Sequence, residues 1–407
     1  MRVVVAAIGS RGDAVPFARL AARFADSGHD VTLVTHRAYR GLVHPSLRVV
    51  PVTSDPEALM AGPAARAVRR FNPTELNRTR DLFAEFLHSA QKPTREALPD
   101  ADVLVASTFA IAAVDEALRQ SVPVVRAHLW PEYSGPDGPM PLLPYGWLAP
   151  GPVRRLARRS LRRVERYLGG VDGGWRRGRL RLVARHPVGL KTATSGSLYA
   201  FSAHVVPDLP DDGSVTGWWT GPDATARLSE VVSGALDGGD DWVYAGFGSM
   251  DQGDPTVLLE LLGSACERVG VRAVVQVAGL RGSPHPRLLC VGDEPHDALF
   301  PRVRAVVHHG GAGTTGTVVR AGVPSVVVPH FADQFYWGRR LHLLGVAPRP
   351  LPRAFTSERA LARRIDDALG QPMARRAARL SDRVAGEDGC GRAVRQVEEW
   401  LTGARGR

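Results

Sequence analysis

The apolar residues of this chain cluster in short runs that do not alternate with polar residues, which is typical of parallel strands covered on both faces. Such runs predict strands at residues 2–8, 31–35, 102–107, 123–127, 241–247, 272–277, 288–292, 305–308 and 325–329. Helices are predicted between strands, as at residues 256–269 and at residues 16–26, where the apolar side chains share one face. This pattern predicts an α/β protein whose two halves repeat one doubly wound, Rossmann-like architecture.

Length and composition limit the organisation and the partners of the protein. With 407 residues the chain is too long for one core and long enough for two α/β domains. The net charge of +11, carried almost entirely by arginine, favours anionic ligands. No helix-turn-helix, zinc or RNP pattern accompanies that charge, so no nucleic-acid partner is expected.

Cysteine usage and hydropathy indicate the compartment. The three cysteines, Cys266, Cys290 and Cys390, share no disulfide or metal-ligand spacing, which fits a reducing environment. No apolar run approaches the ~20 residues of a membrane span. The first residues predict a strand rather than a signal peptide, because no basic region precedes a longer apolar one. We therefore expect a cytoplasmic protein without stable membrane insertion, either a monomer or a homodimer.

A glycine-rich turn in the second half carries the strongest chemical signal. The predicted strand at residues 305–308 ends at a cluster formed by Gly310, Gly311 and Gly313, and a helix is predicted at residues 314–321. A glycine turn that opens a helix directs backbone N–H groups and the positive end of the helix dipole at one point. The pattern therefore predicts a phosphate or diphosphate site, to which His309 can add a side-chain donor.

Residues 311–316 also match the dinucleotide fingerprint G-x-G-x-x-G, with Asp333 about 20 residues further on. That match favours an NAD(P)-dependent oxidoreductase. Two features disagree with it: Asp333 lies in a loop four residues beyond the predicted strand, and the paired His308 and His309 have no role in an NAD site.

The loop after the first predicted strand holds a second candidate, Asp13. Residues 9–13 (GSRGD) connect the strand at residues 2–8 to the helix at residues 16–26. Ligands of doubly wound sheets lie beyond the carboxyl ends of the strands, so Asp13 is expected to point into a cleft. An acidic residue near a helix start is also a common cap, and spacing alone leaves both interpretations open.

Three stretches together resemble family-1 glycosyltransferases of the two-domain GT-B fold. They are HHGGAGTT at residues 308–315, P-x-x-x-D-Q at residues 329–334 and G-S-R-G-D-x-x-P at residues 9–16. The resemblance is to the bacterial natural-product branch, including glycopeptide-antibiotic enzymes, and to sterol glucosyltransferases. It implies two Rossmann-like domains that face a central cleft. It also implies inverting, metal-independent sugar transfer from a UDP- or dTDP-sugar to a hydroxyl of a small hydrophobic or polycyclic acceptor, without a cofactor.

The resemblance also assigns residue roles. Asp13 would activate the acceptor, His309 and the turn at residues 311–314 would hold the diphosphate, and Asp333 with Gln334 would hold sugar hydroxyls. The full set of implied donor-binding residues is Ser10, Arg11, Gly12, Ser249, Val291, His309, Gly311, Ala312, Gly313, Thr314, Asp333 and Gln334. Residues that follow the strand at 123–127 are candidates for the acceptor pocket, with a structural role as the alternative: His128, Trp130 and Glu132.

The resemblance completes the domain prediction. We expect an acceptor-binding domain at residues 1–206, a Pro-, Asp- and Gly-rich linker at 207–222, a nucleotide-sugar domain at 223–385, and a last helix at 386–407 that crosses back to the first domain. The D-x-D sequence at residues 100–102 precedes its strand and predicts a turn rather than a metal site. An arginine-rich amphipathic helix at residues 154–168 could meet an anionic partner or simply face solvent.

Two rivals of the transferase interpretation remain besides the oxidoreductase. One is a sugar-nucleotide epimerase of the same fold, whose chemistry gives no role to the GSRGD loop. The other is a non-catalytic partner that keeps the GT-B fold, which the intact Asp13, His309, Asp333 and Gln334 disfavour.

Overall fold

The computed structural model describes residues 1–62, 82, 84–131, 145, 148, 152–153, 156, 194–206, 213–221, 226–247, 255–277 and 279–405. The described residues of the first half form a sheet of six parallel strands. In chain order these are β1 (Arg2–Ala7), β2 (Asp30–His36), β3 (Arg48–Val52), β4 (Val103–Ser107), β5 (Val124–His128) and β6 (Thr194–Tyr199). Their order in the sheet, β3-β2-β1-β4-β5-β6, reverses direction next to β1. Ligands of such sheets bind beyond the carboxyl end of the strand at this reversal.

The described residues of the second half form another parallel sheet, of five strands. They are β7 (Trp242–Gly246), β8 (Arg272–Gln276), β9 (Leu288–Val291), β10 (Val306–His308) and β11 (Ser325–Val327). The order β11-β10-β7-β8-β9 reverses between β7 and β10. Two doubly wound α/β sheets are therefore present, as the hydrophobic pattern predicted.

Helices cover both faces of each sheet. In the first half these are α1 (Arg11–Asp26), α2 (Pro56–Ala61), α3 (Gln91–Ala97) and α4 (Ile111–Arg119). In the second half they are α5 (Glu230–Asp237), α6 (Pro255–Val269), α7 (His296–Leu299), α8 (Ala312–Ala321), α9 (Gln334–Leu343), α10 (Glu358–Leu369), α11 (Gln371–Val384) and α12 (Gly389–Arg405). Alternate residues of one strand enter different cores: Val3 and Val5 pack with α1, whereas Val4 packs with α4 on the other face. Burial on both faces explains why the strands show no alternation.

The first helix begins earlier than the sequence predicted. We expected residues 9–13 to be a loop and the helix to start at residue 16, yet α1 starts at Arg11. Ser10 is its N-cap, and Asp13 completes a capping box with it, which satisfies the first N–H groups of the helix. Pro16 lies inside α1 rather than at its start. Similarly, α8 begins at Ala312, two residues before its predicted start.

A continuous apolar cluster joins the two halves. The ring of Phe17 in α1 meets that of Trp219 edge-on, with centroids 5.2 Å apart. Trp218, from the same short segment, packs on Trp337 of α9 at 5.3 Å. These contacts hold α1 beside the second half of the chain, where it packs against α8.

The last helix, α12, lies against the first half of the chain. His29 Nε2 and Glu398 Oε1 are 2.9 Å apart, and Arg23 pairs with Asp388, just before α12, at 2.8 Å. The domain boundaries themselves remain predictions, because residues 207–212 and 222–225 of the expected linker are outside the described residues. The predicted arginine-rich helix at 154–168 also lies almost entirely outside them. No helix in the described ranges is long and apolar enough to span a membrane.

Candidate functional site

Asp13 is held in the first turn of α1 by the residue that caps the helix. Its Oδ2 atom accepts hydrogen bonds from the backbone N of Ser10 at 2.8 Å and from Ser10 Oγ at 2.9 Å. Gly9 has a φ of +145°, and a Cβ atom there would overlap the Asp13 carboxylate. Asp13 therefore caps the helix through Oδ2 and also lies beyond the carboxyl end of β1; its catalytic role stays a prediction.

Burial makes Asp13 a stronger base than an ordinary aspartate. Removal from water raises its pKa from 3.8 to about 6, and the hydrogen bonds from Ser10 oppose that rise. The side chain is therefore mainly ionised at neutral pH while its basicity is increased. A general base works best with a pKa near the operating pH.

The glycine turn lies between β10 and α8, at the reversal of the second sheet. Gly310 has a φ of +91°, and a Cβ atom there would lie 2.8 Å from Val327 Cγ1. Gly311 is the N-cap of α8, where a Cβ atom would overlap His309 Nε2. By contrast, a Cβ atom at Gly313 would meet nothing within 4 Å. The first turn of α8 is thus open on the side of Gly313, and its leading N–H groups have no partner within the helix.

Both histidines before the turn are neutral. Burial lowers the pKa of His308 and of His309 to about 3. His308 Nδ1 accepts a hydrogen bond from Gly310 N at 3.2 Å, so this side chain shapes the turn. His309 Nδ1 is buried and has no hydrogen-bond partner among the described residues. His308 Nε2 is likewise buried without a partner among the described residues. Because buried polar atoms are rarely left without partners, both nitrogens are candidates for contact with a ligand.

Asp333 and Gln334 follow a strained residue, Ala332, whose φ is +53°. Gln334 Oε1 accepts hydrogen bonds from the backbone N atoms of His330 at 2.7 Å and Phe331 at 3.2 Å. The Gln334 amide oxygen is therefore occupied by the loop, and its NH₂ group is the part left for a ligand.

The carboxylate of Asp333 has a different partner. Its Oδ2 accepts a hydrogen bond from Trp337 Nε1 at 3.0 Å. Burial, and then the charge of Asp13, raise the pKa of Asp333 to about 7. Because the charge of Asp13 acts on Asp333, these two carboxyl groups, one from each half of the chain, lie near each other.

The remaining implied donor residues that the structure describes lie at helix starts or at the end of a strand. Ser10 and Gly12 lie at the start of α1, and Ala312 is buried in the first turn of α8 beside the half-exposed Thr314. Val291 ends β9 with its side chain buried, so only its backbone can meet a ligand. Ser249 lies outside the described residues.

Arg11, an implied donor-binding residue, forms an ion pair between the two halves of the chain. Its Nη2 atom lies 2.5 Å from Asp293 Oδ2. Asp293 Oδ1 in turn accepts from Gln276 Nε2 at 2.9 Å, and Tyr244 OH donates to Gln276 Oε1 at 2.9 Å. His296 Nε2 lies 3.0 Å from the same Tyr244 hydroxyl. The sequence analysis missed this hydrogen-bond network, although Gln276, the polar last residue of β8, was a signal for it.

The structure gives two of the acceptor candidates buried positions. His128 is the last residue of β5 rather than the residue after it; its Nδ1 lies 3.0 Å from Thr108 Oγ1, and its ring stacks on Tyr199. Trp130 is buried beside Phe109, and its Nε1 has no hydrogen-bond partner among the described residues. Glu132 lies outside the described residues. The acceptor role of these residues remains a prediction.

The predicted turn at residues 100–102 is present. Asp102 Oδ2 accepts from the backbone N of Arg2 at 2.9 Å, and Asp100 Oδ2 accepts from Arg2 NH1 at 2.8 Å. Asp100 also has a φ of +61°. Over the ranges that the structure describes, no group of three His, Cys, Asp or Glu side chains could hold a metal ion.

Two family descriptions match separate parts of the chain. Residues 3–127 match the glycosyltransferase family 28 N-terminal domain. Residues 284–399, which include the glycine turn and Asp333, match the C-terminal domain of proteins like erythromycin biosynthesis protein CIII. The dinucleotide interpretation of residues 311–316 is wrong, because the chain as a whole matches glycosyltransferases rather than oxidoreductases.

Whole-chain comparisons agree. The O-mycaminosyltylonolide 6-deoxyallosyltransferase of Streptomyces fradiae is 32% identical over 98% of this chain and 97% of its own length. A sterol 3-beta-glucosyltransferase of Arabidopsis thaliana is 31% identical over 100% of this chain, which spans 66% of the plant protein. The crystal structure of glycosyltransferase VinC in complex with dTDP superimposes with a TM-score of 0.64 at 18% identity, covering 99% of this chain and 100% of that one. The chain belongs to the GT-B glycosyltransferases, in the family of the antibiotic and sterol enzymes.

Proposed function

We propose that this glycosyltransferase moves a sugar from a UDP- or dTDP-sugar to a hydroxyl group of a small hydrophobic natural product, with inversion and without a metal ion. The observation that carries the proposal is the position of Asp13. Its charge acts on Asp333, which begins α9, while α1 packs beside α8, whose first turn is open. A base, a sugar-binding carboxylate and an anion site therefore share one cleft.

The diphosphate would bind at the first turn of α8. The free N–H groups of that turn and the helix dipole attract an anion, and Gly313 leaves room for it to approach. His309 Nδ1, buried without a partner, supplies one more polar contact. These groups would stabilise the charge of the leaving diphosphate, and the complex of VinC with dTDP supports a thymidine nucleotide.

The sugar would lie between the diphosphate and Asp13. Asp333 Oδ1 and the Gln334 NH₂ group are oriented by neighbours that occupy their other polar atoms. A carboxylate oxygen accepts from a sugar hydroxyl, and an amide NH₂ group donates to one. Together they would fix the anomeric carbon in front of the base.

Transfer would then be a single displacement. The acceptor oxygen attacks the anomeric carbon as the bond from that carbon to the diphosphate oxygen breaks. The acceptor hydroxyl proton passes to the free Oδ1 of Asp13, and the diphosphate leaves with the bonding electron pair. Because base and leaving group lie on opposite sides of the sugar, one such step inverts the anomeric configuration.

A hydrophobic acceptor fits the apolar side chains near this site. Trp130 and Phe109 pack together at 5.9 Å, and Tyr145 meets Phe335 of α9 at 5.2 Å, with Phe109 and Tyr145 partly exposed. The two named relatives act, by their names, on O-mycaminosyltylonolide and on sterols. Both features support a small polycyclic or macrocyclic alcohol as the acceptor.

The test is an assay of the purified protein with UDP- and dTDP-sugars against a panel of macrolide, sterol and aromatic polyketide alcohols in EDTA. Mass spectrometry detects the glycoside, and the anomeric proton coupling in NMR gives its configuration. We expect product in EDTA with the configuration opposite to that of the donor. Product formed only after Mg²⁺ or Mn²⁺ is restored, or a retained configuration, would contradict the proposal.

A further inference from the structure

We propose that Trp337 is a positioning residue for the reaction: its indole N–H holds the Asp333 carboxylate so that the other carboxylate oxygen faces the donor sugar. The inference rests on the proposed sugar-binding role of Asp333. Trp337 itself touches neither sugar nor acceptor in this arrangement.

Two bonds fix the pair to each other. Trp337 Nε1 donates to Asp333 Oδ2 at 3.0 Å, and Trp337 N donates to the Asp333 carbonyl at 3.0 Å. The side-chain bond leaves one defined oxygen, Oδ1, for a ligand. Without it, rotation about the Cβ–Cγ bond would exchange the two oxygens, and the sugar would have to order the carboxylate on binding.

The core around Trp337 prevents the indole from moving away. Its side chain has no exposed surface, and its ring lies 5.3 Å from Trp218 and 5.9 Å from Phe201. The next residue, Gly338, packs so closely that a Cβ atom would lie 3.0 Å from Val327 Cγ1. Asp333, which follows the strained Ala332, is therefore anchored to a buried side chain of the cluster that joins the two halves.

The carboxylate needs this support because a second one lies nearby. Asp13 disfavours the ionised form of Asp333, whereas the bond from Trp337 favours it. A protonated Asp333 would lose one acceptor oxygen toward the sugar. The indole N–H of Trp337 therefore both orients the Asp333 carboxylate and favours its ionised form.

The experiment compares Trp337→Phe with Trp218→Phe. Trp218 is a matched control because it is also a buried tryptophan of the same cluster, and its Nε1 has no hydrogen-bond partner among the described residues. Trp337→Phe should raise the donor KM roughly tenfold, the scale of one lost hydrogen bond to a charged group. It should also move the acid limb of kcat/KM to higher pH and leave the Kd of bare UDP or dTDP unchanged. Trp218→Phe should change none of the three.

Three outcomes separate the possible failures. Equal effects of both substitutions would mean that packing alone matters, and would overturn the inference. An unchanged donor KM in Trp337→Phe together with a raised KM in Asp333→Ala would also overturn it while leaving the proposed function intact. An unchanged donor KM in Asp333→Ala would instead show that Asp333 does not bind the sugar. If Trp337→Phe unfolds, β-(3-benzothienyl)alanine at this position keeps the two-ring shape without the N–H, and a wild-type KM and pH profile there would refute the inference.

Discussion

The charge of Asp13 raises the pKa of Asp333, although the two residues stand at the starts of helices on different sheets. Each carboxyl group is also removed from water, and their pKa values lie at about 6 and about 7. One aspartate would take a proton from the acceptor, and the other would hold the donor sugar. Both functions require an ionised carboxylate, so the activity should depend on pH through Asp13 and Asp333.

We expect kcat/KM to fall as the pH drops below about 7, where Asp333 takes up a proton, and to fall more steeply below about 6, where Asp13 follows. The profile of kcat/KM reports the ionisation of the free enzyme. A pH series from 5 to 9 at low donor concentration would measure it. Asp333→Asn should be less active and should keep a single, shallower acid limb. An acid limb unchanged in Asp333→Asn would show that this carboxyl does not control activity.

Gly313→Ala should separate stability from donor binding. Alanine in a helix is favoured over glycine by about 1 kcal/mol, and the new methyl group meets no protein atom within 4 Å. The variant should therefore melt no lower than wild type, while the donor KM rises because the methyl group occupies the approach of the diphosphate. Gly234→Ala in α5 is the matched control, since it too has nothing within 4 Å. Equal donor KM values in the two variants would argue against a diphosphate at this turn.

His309→Ala should weaken binding of UDP or dTDP by roughly 1.5–3 kcal/mol, the scale of a hydrogen bond to a charged group. The structural reason is the buried Nδ1 atom that no described residue satisfies. Isothermal titration calorimetry with the bare nucleotide diphosphate gives the constant directly. A much lower melting temperature of His309→Ala, with an unchanged Kd for the nucleotide diphosphate, would mean that His309 stabilises the fold and does not bind the ligand.

The sequence predicted both sheets because the apolar pattern of a buried strand is a local feature. Unbroken apolar runs gave nine of the strands, whereas β3 and β6, at the two edges of the first sheet, were not predicted. The start of α1 was predicted too late, because proline is usually found in the first turn of a helix and Pro16 indicated that turn. The helix begins at Arg11, where Ser10 and Asp13 form a capping box.

What could not be predicted depends on contacts between residues far apart in the chain. The ion pair between Arg11, an implied donor-binding residue, and Asp293 of the second half is one such contact. The apolar pattern marks Trp337 as a core residue but does not show that its N–H is used by Asp333. Conversely, the role of Gly310 could be anticipated, since a positive φ beside a strand end needs glycine.

Asp13→Asn should stabilise the fold at alkaline pH. The folded-state pKa of about 6 is above that of the unfolded chain, near 4, so ionised Asp13 costs stability at pH 8. As the pH falls through 6, the folded wild type takes up its proton first and recovers that stability, and the advantage of the variant disappears near pH 4. Thermal melts at pH 8 and pH 4 should show a gain on the order of 2 kcal/mol at pH 8 only. A lower melting temperature at pH 8 would mean that capping outweighs the cost of burying the charge.

The same substitution tests the mechanism. An asparagine keeps the size and the capping oxygen of Asp13 but cannot accept a proton, so turnover should fall by about 10²–10⁴, the usual contribution of a general base. Because Ser10 and the start of α1 remain in place, nucleotide binding should stay unchanged. Single-turnover rates with saturating donor, together with a UDP or dTDP titration, measure the two quantities on one sample. Near-wild-type turnover would mean that another residue is the base. His128 would be the next residue to test, since it is the last residue of β5 and so lies, like Asp13, at the carboxyl ends of the strands of the first sheet.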